Sequence, residues 1–221
     1  MLELAPVLGV LAGAIGVADT IPYVRDILRG RTRPHRGTWL IWSTLTVVAV
    51  FSQQADGASW SLILVASQAV AMVLIFVLSI RRGVGGVSRG DLALVAIAGT
   101  GVAGWLIADE PLVATACVVA ADLIAAAMMV PKTWRDPESE TLVTYAFASL
   151  GGALATGAVG ALDVALLLYP AYFCVVNGAL ALLIVHRRRV IAARSLLATA
   201  SGPTAPAAPQ PAGTHPTGGA W

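Results

Sequence analysis

An all-α polytopic membrane protein with seven transmembrane helices is the fold this sequence predicts, and three observations predict it. The 221 residues are 57% hydrophobic and only 12% charged, against roughly 25% charged in an ordinary soluble domain. Apolar runs of about 17 to 22 residues recur, the length that carries a helix across about 30 Å of hydrocarbon. All 14 lysines and arginines fall in alternate connecting segments, the pattern the positive-inside rule imposes on a chain that crosses repeatedly. A membrane β-barrel is excluded, because its strands read as short alternating segments rather than continuous apolar runs.

The spans read as 4–28, 38–55, 60–80, 92–108, 112–131, 141–158 and 163–185. The first begins MLELAPVLGV, which has no basic region ahead of its apolar stretch, so it reads as a retained span rather than a removed signal peptide. Gly9, Gly13 and Gly16 along it permit close helix contact. Its last turns run into a basic turn, Arg25 to Arg36, which reads chiefly as a determinant of topology. Within that turn Asp26 and Arg29 stand at the spacing of a helix-surface pair. The second span opens on Trp39 and Trp42. Trp39 reads as an interfacial belt residue, as do Trp60 and Trp105, whereas Trp42 lies deeper. Gln68 is the uncharged amide of the third span, and Asp122 sits halfway along the fifth. In the seventh, Tyr169, Phe173 and Asn177 fall at i, i+4 and i+8, one helix face.

Orientation follows from charge. With the N-terminus outside, the inner segments hold Arg25 to Arg36, then Arg81, Arg82 and Arg89, then Lys132 and Arg135, then Arg187 to Arg194. The outer ones hold Glu3, Asp56, Asp109, Glu110 and Asp163 and no basic residue. The expectation is N-out, C-in, in a plasma (inner) membrane. Thirteen arginines against the single Lys132, with abundant Ala, Gly and Val, point to a GC-rich coding sequence and a bacterial source.

Shifting the chain by 103 residues places Asp19 on Asp122, Arg29 on Lys132, Pro34 on Pro137, Thr38 on Thr141, Trp42 on Tyr145, and Gly57-Ala58 on Gly160-Ala161. Identity is low, but the matches fall on an intramembrane acid, a basic turn, the start of a span and an outer turn. Residues 1–83 are then a first three-helix unit, 84–110 a linker helix and 111–190 a second unit. An odd linker leaves the units parallel, related by an axis along the membrane normal. Residues 191–221, rich in Pro, Ala, Gly and Thr, read as a disordered cytoplasmic tail.

The run Pro22-Tyr23, then Leu28-Arg29-Gly30-Arg31-Thr32, then Thr38-Trp39 resembles the PQ-loop signature, with Tyr23 where glutamine is usual. The 3+1+3 plan is similar to that of SWEET-type facilitators and their PQ-loop relatives. The resemblance implies a transporter, a facilitator or a proton-coupled one, that moves a small polar solute such as a sugar, amino acid or vitamin by alternating access. It further implies that Asn177, followed by Gly178, contacts solute and that Pro22 acts as a hinge. The alternative is a receptor or scaffold on the same plan.

The residues support such a site independently. A carboxylate inside a span costs about 2.5 to 3.5 kcal/mol on insertion scales, so Asp19 and Asp122 should face a bundle interior or a wet cavity, where they can take up and release a proton. The opposing reading has each bonding a neighbouring helix or an arginine of the inner turn. Asn177, Gln68, Trp42, Tyr145 and Phe173 are the candidate solute contacts; an amide beside aromatic rings suits a neutral polar solute, while an interhelical hydrogen bond would equally account for Asn177. Pro22 should kink its helix.

No nucleophile elbow or phosphate loop appears, His35, His186 and His215 lack ligand spacing, and Cys117 and Cys174 lie within spans. No enzyme activity, metal or cofactor is expected. The expected partners are the lipid bilayer and the solute, with a homo-oligomer left open. The net charge of +2 speaks against nucleic acid.

Overall fold

The computed structural model describes residues 4–55, 61–108, 110–159, 162 and 164–200. Glu3, Asp56, Gly57, Ala58, Trp60, Asp109, Gly160, Ala161 and Asp163, which carry much of the expected outer side, lie outside that set, as do residues 201–221. Among the described residues the chain is helical, with no strand: α1 (Leu4–Ala18), α2 (Thr20–Leu28), α3 (Arg36–Ala55), α4 (Ser61–Arg82), α5 (Arg89–Ile107), α6 (Pro111–Arg135), α7 (Leu142–Ala158) and α8 (Val164–Ala200), with a 3-10 turn at Pro137–Ser139. Four stretches, Leu4–Leu28, Arg89–Ile107, Leu112–Arg135 and Leu166–Leu197, are long and apolar enough to cross a membrane. Arg36–Phe51 and Leu142–Ala158 are shorter apolar helices.

Local chemistry fixes the ends. Pro22 has no N–H to offer the Ala18 carbonyl one turn back, and the helix breaks there into α1 and α2, at Asp19. Gly30, at φ 73°, turns the chain away after α2, and its N–H bonds the Ile27 carbonyl. Ser88 and Asp91 form a reciprocal capping box at the start of α5. Glu110 caps α6, whose first residue is Pro111.

Packing brings α1 against α7 and α6 against α3, with α5 lying on α6 and α3. Under the 103-residue shift α1 and α2 correspond to α6, and α3 to α7, so the first two contacts are one contact with the partners exchanged. Gly152 allows α7 to approach the backbone of α8 closely: a Cβ there would sit 2.6 Å from the Cys174 backbone nitrogen. Two clusters form the core. One joins Tyr23, Ile27, Trp39, Ile75, Met129, Tyr145 and Ile184, the other Ile41, Leu45, Ala98, Ala121, Ala125 and Met128.

The arginines also close helix ends. Arg82 of α4 donates to the Ile27 and Leu28 carbonyls at 3.1 and 2.7 Å, closing the end of α2. Arg187 of α8 donates to the Trp134 carbonyl at 2.8 Å and stacks 4.3 Å over the Trp134 ring, closing the end of α6. Asp26 pairs with Arg31 and Arg25 rather than with Arg29, because Gly30 folds Arg31 back over it. Met1–Arg188 is one compact unit, and Arg189–Trp221 a second. Within the second unit the expected tail starts as helix, since α8 runs on to Ala200.

Candidate functional site

A cavity of about 920 Å³ runs through the first unit. Its floor lies toward the arginine-rich turns and its wall rises past Gly9, Ala49, Trp105, Thr115 and Val159, near the opposite helix ends. Asp19 reaches it because the helix breaks beneath it at Pro22; the buried carboxylate accepts a hydrogen bond from Thr20 at 3.1 Å. Its carbonyl oxygen accepts one from Thr144 of α7 at 2.8 Å. Asp122, midway along α6, accepts a hydrogen bond from the Tyr172 hydroxyl of α8 at 2.9 Å. Among the described residues neither aspartate pairs with an arginine of the turn after α2, although Asp122 does bond a neighbouring helix.

Gln68, Trp42, Tyr145, Phe173 and Asn177 also line this cavity, so side chains of α1, α3, α4, α6, α7 and α8 meet in one place. Pro22 stands outside the wall. Asn177 donates to the Phe173 carbonyl of its own helix at 2.9 Å, not across to another helix. Tyr169 and Phe173 stack at 6.0 Å. The buried Trp42 indole N–H lies near Asp122 without a hydrogen-bond partner.

Trp39 is corrected from belt to floor. It is 3% exposed, donates to the Tyr23 hydroxyl at 3.2 Å and meets Trp42 edge to face at 5.1 Å. Helix α2 supplies the partner that draws it inward. Trp105 also faces the cavity, partly buried.

Below the floor lies a group that the sequence reading missed. Glu140 is fully buried and pairs with Lys132, while both Tyr23 and Tyr145 donate to its Oε2, at 3.0 and 2.9 Å. The 3-10 turn carries Glu140 under the bundle, and Arg188 donates to its carbonyl at 2.8 Å. Three helices, α2, α6 and α7, thus meet at one carboxylate, and α8 holds its backbone. Under the 103-residue shift the position that matches Glu140 is Gly37, and Arg29, which matches Lys132, is exposed. Its signal in the sequence is two tyrosines inside apolar helices, each needing a partner for its hydroxyl, and the chain's single lysine. Among the described residues no group of His, Cys, Asp and Glu side chains could hold a metal ion.

No family model, no curated protein and no solved structure matches the chain.

Proposed function

We propose that this chain is a membrane transporter for a small solute, built as two parallel three-helix units around a linker helix, N-out and C-in, and working by alternating access. The observation that carries the reading is the single cavity in which Asp19, Asp122, Gln68 and Asn177 converge from both repeats. At about 920 Å³ it is in the range of small-molecule sites, and carboxylates within an apolar bundle mark solute or proton pathways. The exchanged α1–α7 and α3–α6 contacts support the repeat, and the PQ-loop resemblance supports the plan.

In this reading the cavity is open toward the outside. The inner end is shut by Trp39, Tyr23 and Tyr145 and by the Lys132–Glu140 pair beneath them. Asp122 and Asn177 meet solute, Asp19 carries the proton, and the helix break at Pro22 lets α1 move while α2 stays docked. Uptake into proteoliposomes under an imposed pH gradient is the test.

A further inference from the structure

The class of solute can be argued further, as an extension of the transport reading. Asp19 and Asp122 are the charged side chains of the cavity wall, and no lysine, arginine or histidine among the described residues joins them there. Each accepts a hydrogen bond from a hydroxyl, Thr20 for Asp19 and Tyr172 for Asp122, and the Trp42 N–H lies close to Asp122 as well. The nearby cations are engaged elsewhere: Arg31 on Asp26, Arg33 on Asp136, Lys132 on Glu140, and Arg36, Arg82, Arg187 and Arg188 on backbone carbonyls. A negative charge in such a cavity attracts a cation from solution, because charges interact more strongly where water is thin.

The wall decides which cation. Around Asp122 stand Trp42, Tyr169 and Tyr172, with Phe173 stacked on Tyr169 and small aliphatic side chains elsewhere on the wall. A bare metal ion would need several oxygen ligands about one point, and the side chains closest to Asp122 are the rings of Trp42, Tyr169 and Tyr172. Aromatic faces instead attract an ammonium group, most strongly where it is desolvated. A neutral sugar would leave the carboxylates uncompensated, and an amino acid would bring a carboxylate with no cation to receive it. We infer that the cavity takes a compact organic cation, an ammonium with apolar flanks and no carboxylate. Its charge lies against Asp122 and its body against Trp42, Tyr169 and Phe173, and a hydroxyl on the same molecule would accept from the unpartnered Trp42 N–H.

Calorimetric titration and thermal shift of the purified protein in detergent test this. The probes are choline, tetraethylammonium, the uncharged carbon isostere of choline (dimethylbutanol) and the zwitterion trimethylglycine. Choline should bind at least about tenfold tighter than either of the last two, and Asp122→Asn should remove that preference. Should Asp122→Asn fail to fold, Tyr169→Leu serves: it should weaken choline several-fold and leave the isostere unchanged. Equal binding of choline and its isostere, or binding of neither cation, overturns the inference. The two readings fail separately. A cation that binds but does not cross a vesicle membrane defeats transport and leaves the cation site, whereas sugars bound and carried with choline ignored defeats the cation site and leaves transport.

Discussion

Tyr23 and Tyr145, 122 positions apart in the chain, donate to the same oxygen of Glu140, their rings edge to face at 6.3 Å. This shared acceptor ties α2 to α7 directly beneath the cavity floor, and Lys132 brings α6 to it as well. The arrangement explains why a glutamate sits buried where burial is otherwise costly: both carboxylate oxygens are met by donors.

Breaking one side of that arrangement leaves an uncompensated buried charge. Lys132→Met or Glu140→Gln alone should cost about 3–5 kcal/mol of stability, as for other broken buried pairs. The double variant should recover much of the loss. Thermal unfolding in detergent of the two single variants and the double gives the cycle, and strictly additive losses would contradict an interacting pair.

His35 predicts a pH dependence. It sits in the turn before α3, buried, with Nδ1 accepting from the Thr38 N–H at 3.3 Å and Nε2 3.8 Å from Asp91 of α5. Burial holds it below its ordinary value of 6.5, outweighing the attraction of Asp91 and reinforced by Lys132 and Arg36. A folded-state value below the unfolded one means that the contribution to stability is complete above pH 6.5 and is lost as pH falls toward the folded value. The melting temperature of the wild type should fall on acidification below that point, and His35→Gln should flatten that part of the curve. An unchanged slope would remove His35 as its cause.

Helix proximity predicts a contrast between glycines. A Cβ at Gly152 would lie 2.6 Å from the Cys174 nitrogen, against backbone that cannot yield, while one at Gly99 meets nothing within 4 Å. Gly152→Ala should cost about 1–3 kcal/mol as overpacking. Gly99→Ala should be neutral or slightly stabilising, and unfolding of the two variants side by side checks it.

The sequence makes some of this visible and hides the rest for physical reasons. Asp19 and Asp122 stand out because a charge inside an apolar run has few uses, and the break at Pro22 follows from one missing N–H. Glu140 is hidden because it ends the run Asp136-Pro137-Glu138-Ser139-Glu140, which reads as a solvated turn; only the fold carries its last residue beneath two tyrosines. Trp39 reads as a belt residue because tryptophan at the head of a span usually is one, and it takes Tyr23, sixteen positions earlier, to draw it inward. Tyr172 escapes for a similar reason: it lies one turn from Tyr169 and off the face shared by Tyr169, Phe173 and Asn177, and its role shows only in its bond to Asp122.

The central claim is that the cavity carries solute across a membrane with Asp19 as the proton site. Uptake of a panel of organic cations, sugars, amino acids and vitamins into proteoliposomes, with and without a pH gradient, tests it most directly, with wild type and Asp19→Asn reconstituted to equal density. The account predicts that at least one solute enters faster than into protein-free vesicles, and that Asp19→Asn keeps entry but loses its response to the gradient. Entry no faster than the protein-free rate for every solute, or an Asp19→Asn protein that still follows the gradient, would contradict it.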